Sequence, residues 1–155
     1  MVKRAPRKRS SAKPGKLWLH PKTSPLAFDQ PGPFIALGKR ELLTVGQRGI
    51  MRSSNGGRTW KESPLYDYRW NDKEYKISNE RVLMRTTKGS VIVSFMNLNE
   101  MLWLWRPELQ DALPATRIPH YVCRSTDTGK SFEPAVMLHE DWTGAIRNII
   151  ETQSG

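Results

Sequence analysis

Cysteine is nearly absent. The 155 residues hold one, Cys123, so an internal disulfide cannot form and a cysteine-rich zinc site cannot be built, and the chain calls for neither an oxidising compartment nor a structural metal. His20, His120 and His139 share no spacing that suggests a metal centre or a catalytic dyad, so no metal and no cofactor are expected. Long apolar runs are missing too. Val91 to Val93 and Met101 to Trp105 fall far short of the roughly 18 residues of a membrane helix, and no membrane partner is expected. Ser10, Ser11, Lys13, Pro14 and Lys16 stand where a secretory signal would place its apolar segment. No compartment is readable. Helical periodicity is also lacking: apolar residues nowhere recur at i, i+3, i+4 and i+7 between caps, although Trp105 to Leu113 could form a short helical turn.

Acids are scarce at one end. Lys3, Arg4, Arg7, Lys8, Arg9, Lys13 and Lys16 precede the first acid, Asp29, so most of the net charge of +10 belongs to residues 1–16. That segment is basic, Ser- and Pro-containing and aperiodic, and cannot bury enough apolar surface to offset its conformational entropy. It reads as a disordered tail. A basic tail can hold nucleic acid by counterion release, but this one has no interleaved aromatics, and a solvated extension is the expected state rather than a nucleic-acid arm. The body is only mildly basic.

What the chain does have is short strands. Phe34 to Leu37, a turn at Gly38 to Glu41 and Leu42 to Gly46 form one predicted hairpin. Arg81 to Thr86, a turn at Thr87 to Gly89 and Ser90 to Phe95 form a second, with β-branched content that favours strand over helix. The chain reads as all-β.

One pattern occurs twice. Ile50-Met51-Arg52-Ser53-Ser54-Asn55-Gly56-Gly57-Arg58-Thr59-Trp60 aligns with Val122 to Phe132, sharing apolar-x-Arg-Ser-x-(Asn/Asp)-x-Gly-x-(Thr/Ser)-(Trp/Phe). Each copy makes sense as a strand, a turn and a strand. Asn55 or Asp127 can fold back onto backbone N–H groups, Gly57 or Gly129 supplies a positive φ, and Ser53 or Ser125 adds a second acceptor. Trp60 or Phe132 then plugs the turn from the next strand.

The pattern resembles the Asp box, Ser-x-Asp-x-Gly-x-Thr-Trp, of the sialidase (neuraminidase) superfamily. The second copy departs by Phe132 for Trp, the first by Asn55 for Asp. In that family the box joins the third and fourth strands of a β-propeller blade and lies away from the active site, so Ser53, Asn55, Gly57, Trp60, Ser125, Asp127, Gly129 and Phe132 are expected to be structural. The resemblance implies a partial propeller of four-stranded antiparallel blades: blade one about 33–66, blade two about 81–140, and the first strand of a third, Ala145 to Thr152, within 143–155. Residues 17–155 are then the N-terminal part of a larger ring, six-bladed in that family, because propellers close with four to eight blades. Asn97 to Pro119 is an insertion between the second and third strands of blade two, and long loops of that kind carry function.

The resemblance also implies a site. Family members clamp the carboxylate of sialic acid with three arginines, whose planar donors match it in a bidentate way. The first sits in a Tyr-Arg-Ile-Pro-like motif at the start of an inner strand. Here Tyr75-Lys76-Ile77-Ser78 departs from it, which leaves Arg81 as the matching arginine and Lys76 as its competitor. Arg147 is a second candidate for the substrate funnel. The family's general acid/base, an Asp on the loop between second and third strands, maps to Asp111, with Glu100 as alternate. Met101-Leu102-Trp103-Leu104-Trp105 on the same loop could stack on a sugar or pack the loop onto the rim. The Tyr nucleophile with its Glu partner and the other arginines come from later blades. The expected function is therefore the N-terminal portion of a sialidase-like exo-glycoside hydrolase acting on a sialoglycan or related acidic sugar, inactive by itself. The alternative is a non-catalytic Asp-box propeller that binds glycan or protein, since fold does not fix function.

Overall fold

A computed structural model of the chain describes residues 18–29, 31–65 and 75–154. The tail expected at 1–16 and the end of blade one at Tyr66 lie outside these residues. The described residues hold ten strands and no helix: β1 Phe34–Ala36, β2 Leu42–Val45, β3 Gly49–Ser53, β4 Lys61–Pro64, β5 Ile77–Arg85, β6 Val91–Asn97, β7 Trp105–Arg106, β8 Asp111–Ala112, β9 His120–Ser125 and β10 Val136–His139. The all-β expectation is met. No helix among the described residues is long and apolar enough to cross a membrane.

The strands form two antiparallel four-stranded sheets, β1-β2-β3-β4 and β10-β9-β6-β5, and a separate hairpin of β7 and β8. Each large sheet is a meander in chain order. In β6, Val91, Val93 and Phe95 alternate with Ile92, Ser94 and Met96, so a period of two sends the first set to one face. That face meets Leu83 of β5, Tyr121 and Cys123 of β9, and Leu43, Val45 and Ile50 of the first sheet in a single core. Phe95, Leu43 and Val45 are completely buried, each contributing about 1.5–3 kcal/mol by removal from water. Extended β-branched segments each need a partner face, and the two sheets supply it to one another.

Register fixes which loops share an end. Phe34 pairs with Thr44, Val45 with Ile50, Ile77 with Asn97 and Met96 with His120, so the start of β1, the β2–β3 turn, the start of β5 and the 97–119 insertion lie at one end. The Ile77 amide bonds the Gln47 carbonyl at 2.9 Å and ties these turns together. The two repeated turns, β3–β4 and β9–β10, lie at the opposite end.

Two expectations are corrected. Trp105 to Leu113 is not a helical turn: β7 and β8 pair Trp105 with Ala112 and Arg106 with Asp111, and Gln110 turns the chain with φ 51°. Ala145 to Thr152 is in no sheet. It runs from the insertion end, where the Thr143 hydroxyl donates to Ile118 O at 2.8 Å, to the β5–β6 turn, where Glu151 accepts from the Thr87 amide at 2.8 Å. A strand exists only through a ladder, and no neighbouring backbone pairs with this segment among the described residues.

Candidate functional site

Both boxes adopt the same geometry. The Gly57 amide donates to Ser53 Oγ at 2.9 Å, and Asn55 Oδ1 accepts from the Arg58 and Thr59 amides at 3.1 and 3.0 Å. In the second copy Gly129 donates to Ser125 Oγ at 2.8 Å, and Asp127 Oδ1 accepts from the Lys130 and Ser131 amides, both at 2.9 Å. The substitution of Asn for Asp reverses one proton: Asn55 Nδ2 donates to Thr59 Oγ1 at 2.8 Å, whereas Asp127 Oδ2 accepts from Ser131 Oγ at 2.6 Å. Gly57 and Gly129 have φ of 85° and 80°, and a Cβ on Gly129 would stand 2.8 Å from Leu43 Cδ2. Trp60 packs on Phe28 and Phe34, and Phe132 lies against the core. The Ser131 hydroxyl, then its amide, hold the Asp127 carboxyl far below the usual carboxylate range. These residues are occupied with the turn.

At the other end, β5 opens with an irregularity between Ile77 and Arg81. Ser78 Oγ donates to Glu80 O at 2.8 Å and accepts from the Met96 amide at 3.3 Å, which fixes the bulge. Arg81 follows and is 4% exposed. Its Nη1 donates to Ser78 O at 3.0 Å and its Nη2 to Pro31 O at 3.1 Å, while Nε is buried without a partner among the described residues. No carboxylate among the described residues lies within ion-pair distance of it. Burial draws its pKa below the usual guanidinium value. Lys76, its competitor, is exposed, and its backbone caps the root of the insertion through Asn97 Oδ1 and the Leu98 amide.

Arg147 is 82% exposed and stands 4.0 Å from Glu80, the neighbour of Arg81 in sequence. The structure thus brings both arginines to the start of β5. Asp111 is not brought to them. It lies exposed on β8, its Oδ1 accepting its neighbour's amide, Ala112 N, at 2.8 Å. Glu100 sits at the root of the insertion and accepts a short hydrogen bond from the Tyr121 hydroxyl. Burial, then this bond, push the Tyr121 phenol above the usual tyrosine range, and Tyr75 packs edge-on against its ring.

Tyr121 carries no signal in the sequence beyond its alternation with Cys123 along the strand, which marks it only as core. A groove of about 520 Å³ lined by Glu41, Arg52, Ser54, Lys61 and Lys130 lies at the end of the repeated turns, and Arg81, Arg147 and Asp111 are not part of its lining. No group of three or more His, Cys, Asp or Glu among the described residues could hold a metal ion. Comparison with protein-family models, with curated proteins and with solved structures gives no match.

Proposed function

We propose that this chain is part of an Asp-box β-propeller that handles glycans, and that in the assembled ring it serves a sialidase-like exo-glycoside hydrolase acting on acidic sugars. The single observation that carries the reading is the pair of box turns, which repeat the same hydrogen bonds in two four-stranded meanders. Three features support the propeller. The first strand of each sheet, β1 and β5, starts at the same end, and the two are joined by Arg81 to Pro31 O and by Arg85 to Leu37 O at 3.2 Å. Residues 143–151 run in the same direction beside β5, through Arg147 to Glu80 and Glu151 to Thr87, where the inner strand of a next blade belongs. Two sheets do not close a ring, so the reading requires further blades. For the substrate, the support is a buried guanidinium with no carboxylate partner among the described residues, near the start of an inner strand, a position suited to an anionic sugar.

A second reading, a propeller that binds glycan without cleaving it, is favoured by a specific observation: Asp111 contacts neither Arg81 nor Arg147, and two Arg81 nitrogens are already held by carbonyls. The test is hydrolysis of a fluorogenic sialoside by the protein with its ring complete. Turnover that falls at least tenfold with Asp111→Ala and with Arg81→Met is expected. Unchanged turnover in both removes those assignments, and sialoglycan binding without turnover selects the second reading. The 155-residue chain alone is expected to show no turnover.

A further inference from the structure

The insertion carries an aromatic surface that the acidic-sugar reading does not use. Trp103 and Trp105 alternate with Leu102 and Leu104, and their rings are nearly parallel, 5° apart in plane with centroids separated by 5.8 Å. Trp142, which follows β10, stands edge-on to Trp103 at 6.3 Å and 76°. The three indoles keep 48%, 41% and 46% of their surface exposed. Tryptophan is on average a highly buried residue, so three such neighbours on one patch mark an interaction surface.

Their exposure is enforced by the frame beneath them. Leu102 and Arg117 exchange two backbone hydrogen bonds, both 2.8 Å. The Thr116 hydroxyl donates to Leu104 O at 2.8 Å and accepts from Leu104 N at 3.3 Å, and the Leu113 amide reaches Leu104 O at 2.9 Å. Ile118 forms a parallel bridge with Trp142, and Arg117 pairs with Glu140 at 2.7 Å. The insertion and the segment bearing Trp142 are therefore stitched into one unit. Charged and polar groups border the rings: Arg106 with Glu108 at 3.8 Å, Arg117 with Glu140, and Asp111 across from Arg106.

We propose that Trp103, Trp105 and Trp142 form a stacking platform for a neutral pyranose of a glycan. A pyranose offers an apolar C–H face, whose partial positive charge suits the negative face of an indole, and a rim of hydroxyls that needs both donors and acceptors close by. The ion pairs and polar groups stand at the border of the rings, where the hydroxyls of a stacked sugar would reach them. The insertion opens from the same end as the start of β5, so the platform takes the sugar that follows an acidic residue seated near Arg81. In that placement the inference rests on the acidic-sugar reading, whereas the stacking itself rests on the indoles.

Saturation-transfer NMR on the 155-residue chain, with lactose and N-acetylneuraminic acid as separate probes, tests it. Transfer to lactose is expected, strongest at the C–H protons of one galactose face, with binding weakened at least tenfold in Trp105→Ala and in Trp103→Ala at unchanged melting midpoint. Absence of lactose transfer overturns the platform, and transfer to N-acetylneuraminic acid in that case leaves the acidic-sugar reading standing. Lactose transfer that Trp105→Ala removes sustains the platform whether or not N-acetylneuraminic acid also shows transfer, because the acidic-sugar reading draws its remaining arginines from later blades. Lactose binding unchanged in both tryptophan variants, or a dimer that Trp105→Ala dissolves and lactose does not, also overturns it.

Discussion

Ser53 and Ser125 show how single atoms hold the repeat. Each is 1% exposed, and each hydroxyl accepts a buried glycine amide while donating to the Asn55 or Asp127 oxygen, at 3.0 and 2.7 Å. Removing the hydroxyl strands that amide without water, so Ser53→Ala and Ser125→Ala should each cost about 1–3 kcal/mol, read from urea midpoints at an unchanged slope. Asp127 and Asn55 differ in their response to acid. The Asp127 carboxyl is held below its unfolded value, so between that native value and about pH 4 the unfolded chain binds the extra proton and stability rises with pH. The contribution is complete above that window and is lost as pH falls through it. Asp127→Asn, which copies the first box, should flatten the acid limb of the stability profile, and an unchanged limb would assign it to other carboxylates.

The elements were legible where both period and turn chemistry were present, and less so elsewhere. Gly57 and Gly129 marked the β3–β4 and β9–β10 turns because a positive φ at the end of an Asn or Asp loop leaves glycine as the ready solution. β5 was read from Arg81, but it begins at Ile77, because Ser78, Asn79 and Glu80 break the alternation at a bulge that the Ser78 hydroxyl and the Arg81 guanidinium build together. The β7–β8 hairpin was hidden for a different reason. Two-residue strands have no period, and their order comes from Thr116, a buried side chain distant in sequence that satisfies Leu104 N and O. Thr116→Val should accordingly free the hairpin without unfolding the sheets: hydrogen exchange at Leu102, Leu104 and Leu113 is expected to speed up at least tenfold while the global melting midpoint moves little. Exchange that stays slow there would place the order of the insertion in its backbone bonds alone. Asp111 belongs to this hairpin, so its position relative to Arg81 could not be read from its place in the sequence.

At the scale of the molecule, one core joins the two sheets, and Cys123 lies in it. The residue is 1% exposed on β9, in the cluster that Leu43, Val45 and Ile50 of the other sheet complete, and burial pushes its thiol up to about 12. The thiolate is the reactive form, so neither access nor ionisation favours attack while the sheets remain together. A water-soluble aromatic disulfide at pH 8 should therefore modify Cys123 only through opening of the whole core, at a rate that follows global stability across added urea. Gly129→Ala sharpens the test. It forces a side chain into a positive φ and toward Leu43 at the contact between the second box and the first sheet, costing about 1–2 kcal/mol from the backbone alone. If the sheets form one cooperative unit, that change in a turn should raise the modification rate of the thiol roughly five- to thirtyfold. A rate insensitive to Gly129→Ala, in a variant shown to be destabilised, would mean that the sheets open independently, and Cys123 would then report on β9 and its neighbours rather than on the packing of one sheet against the other.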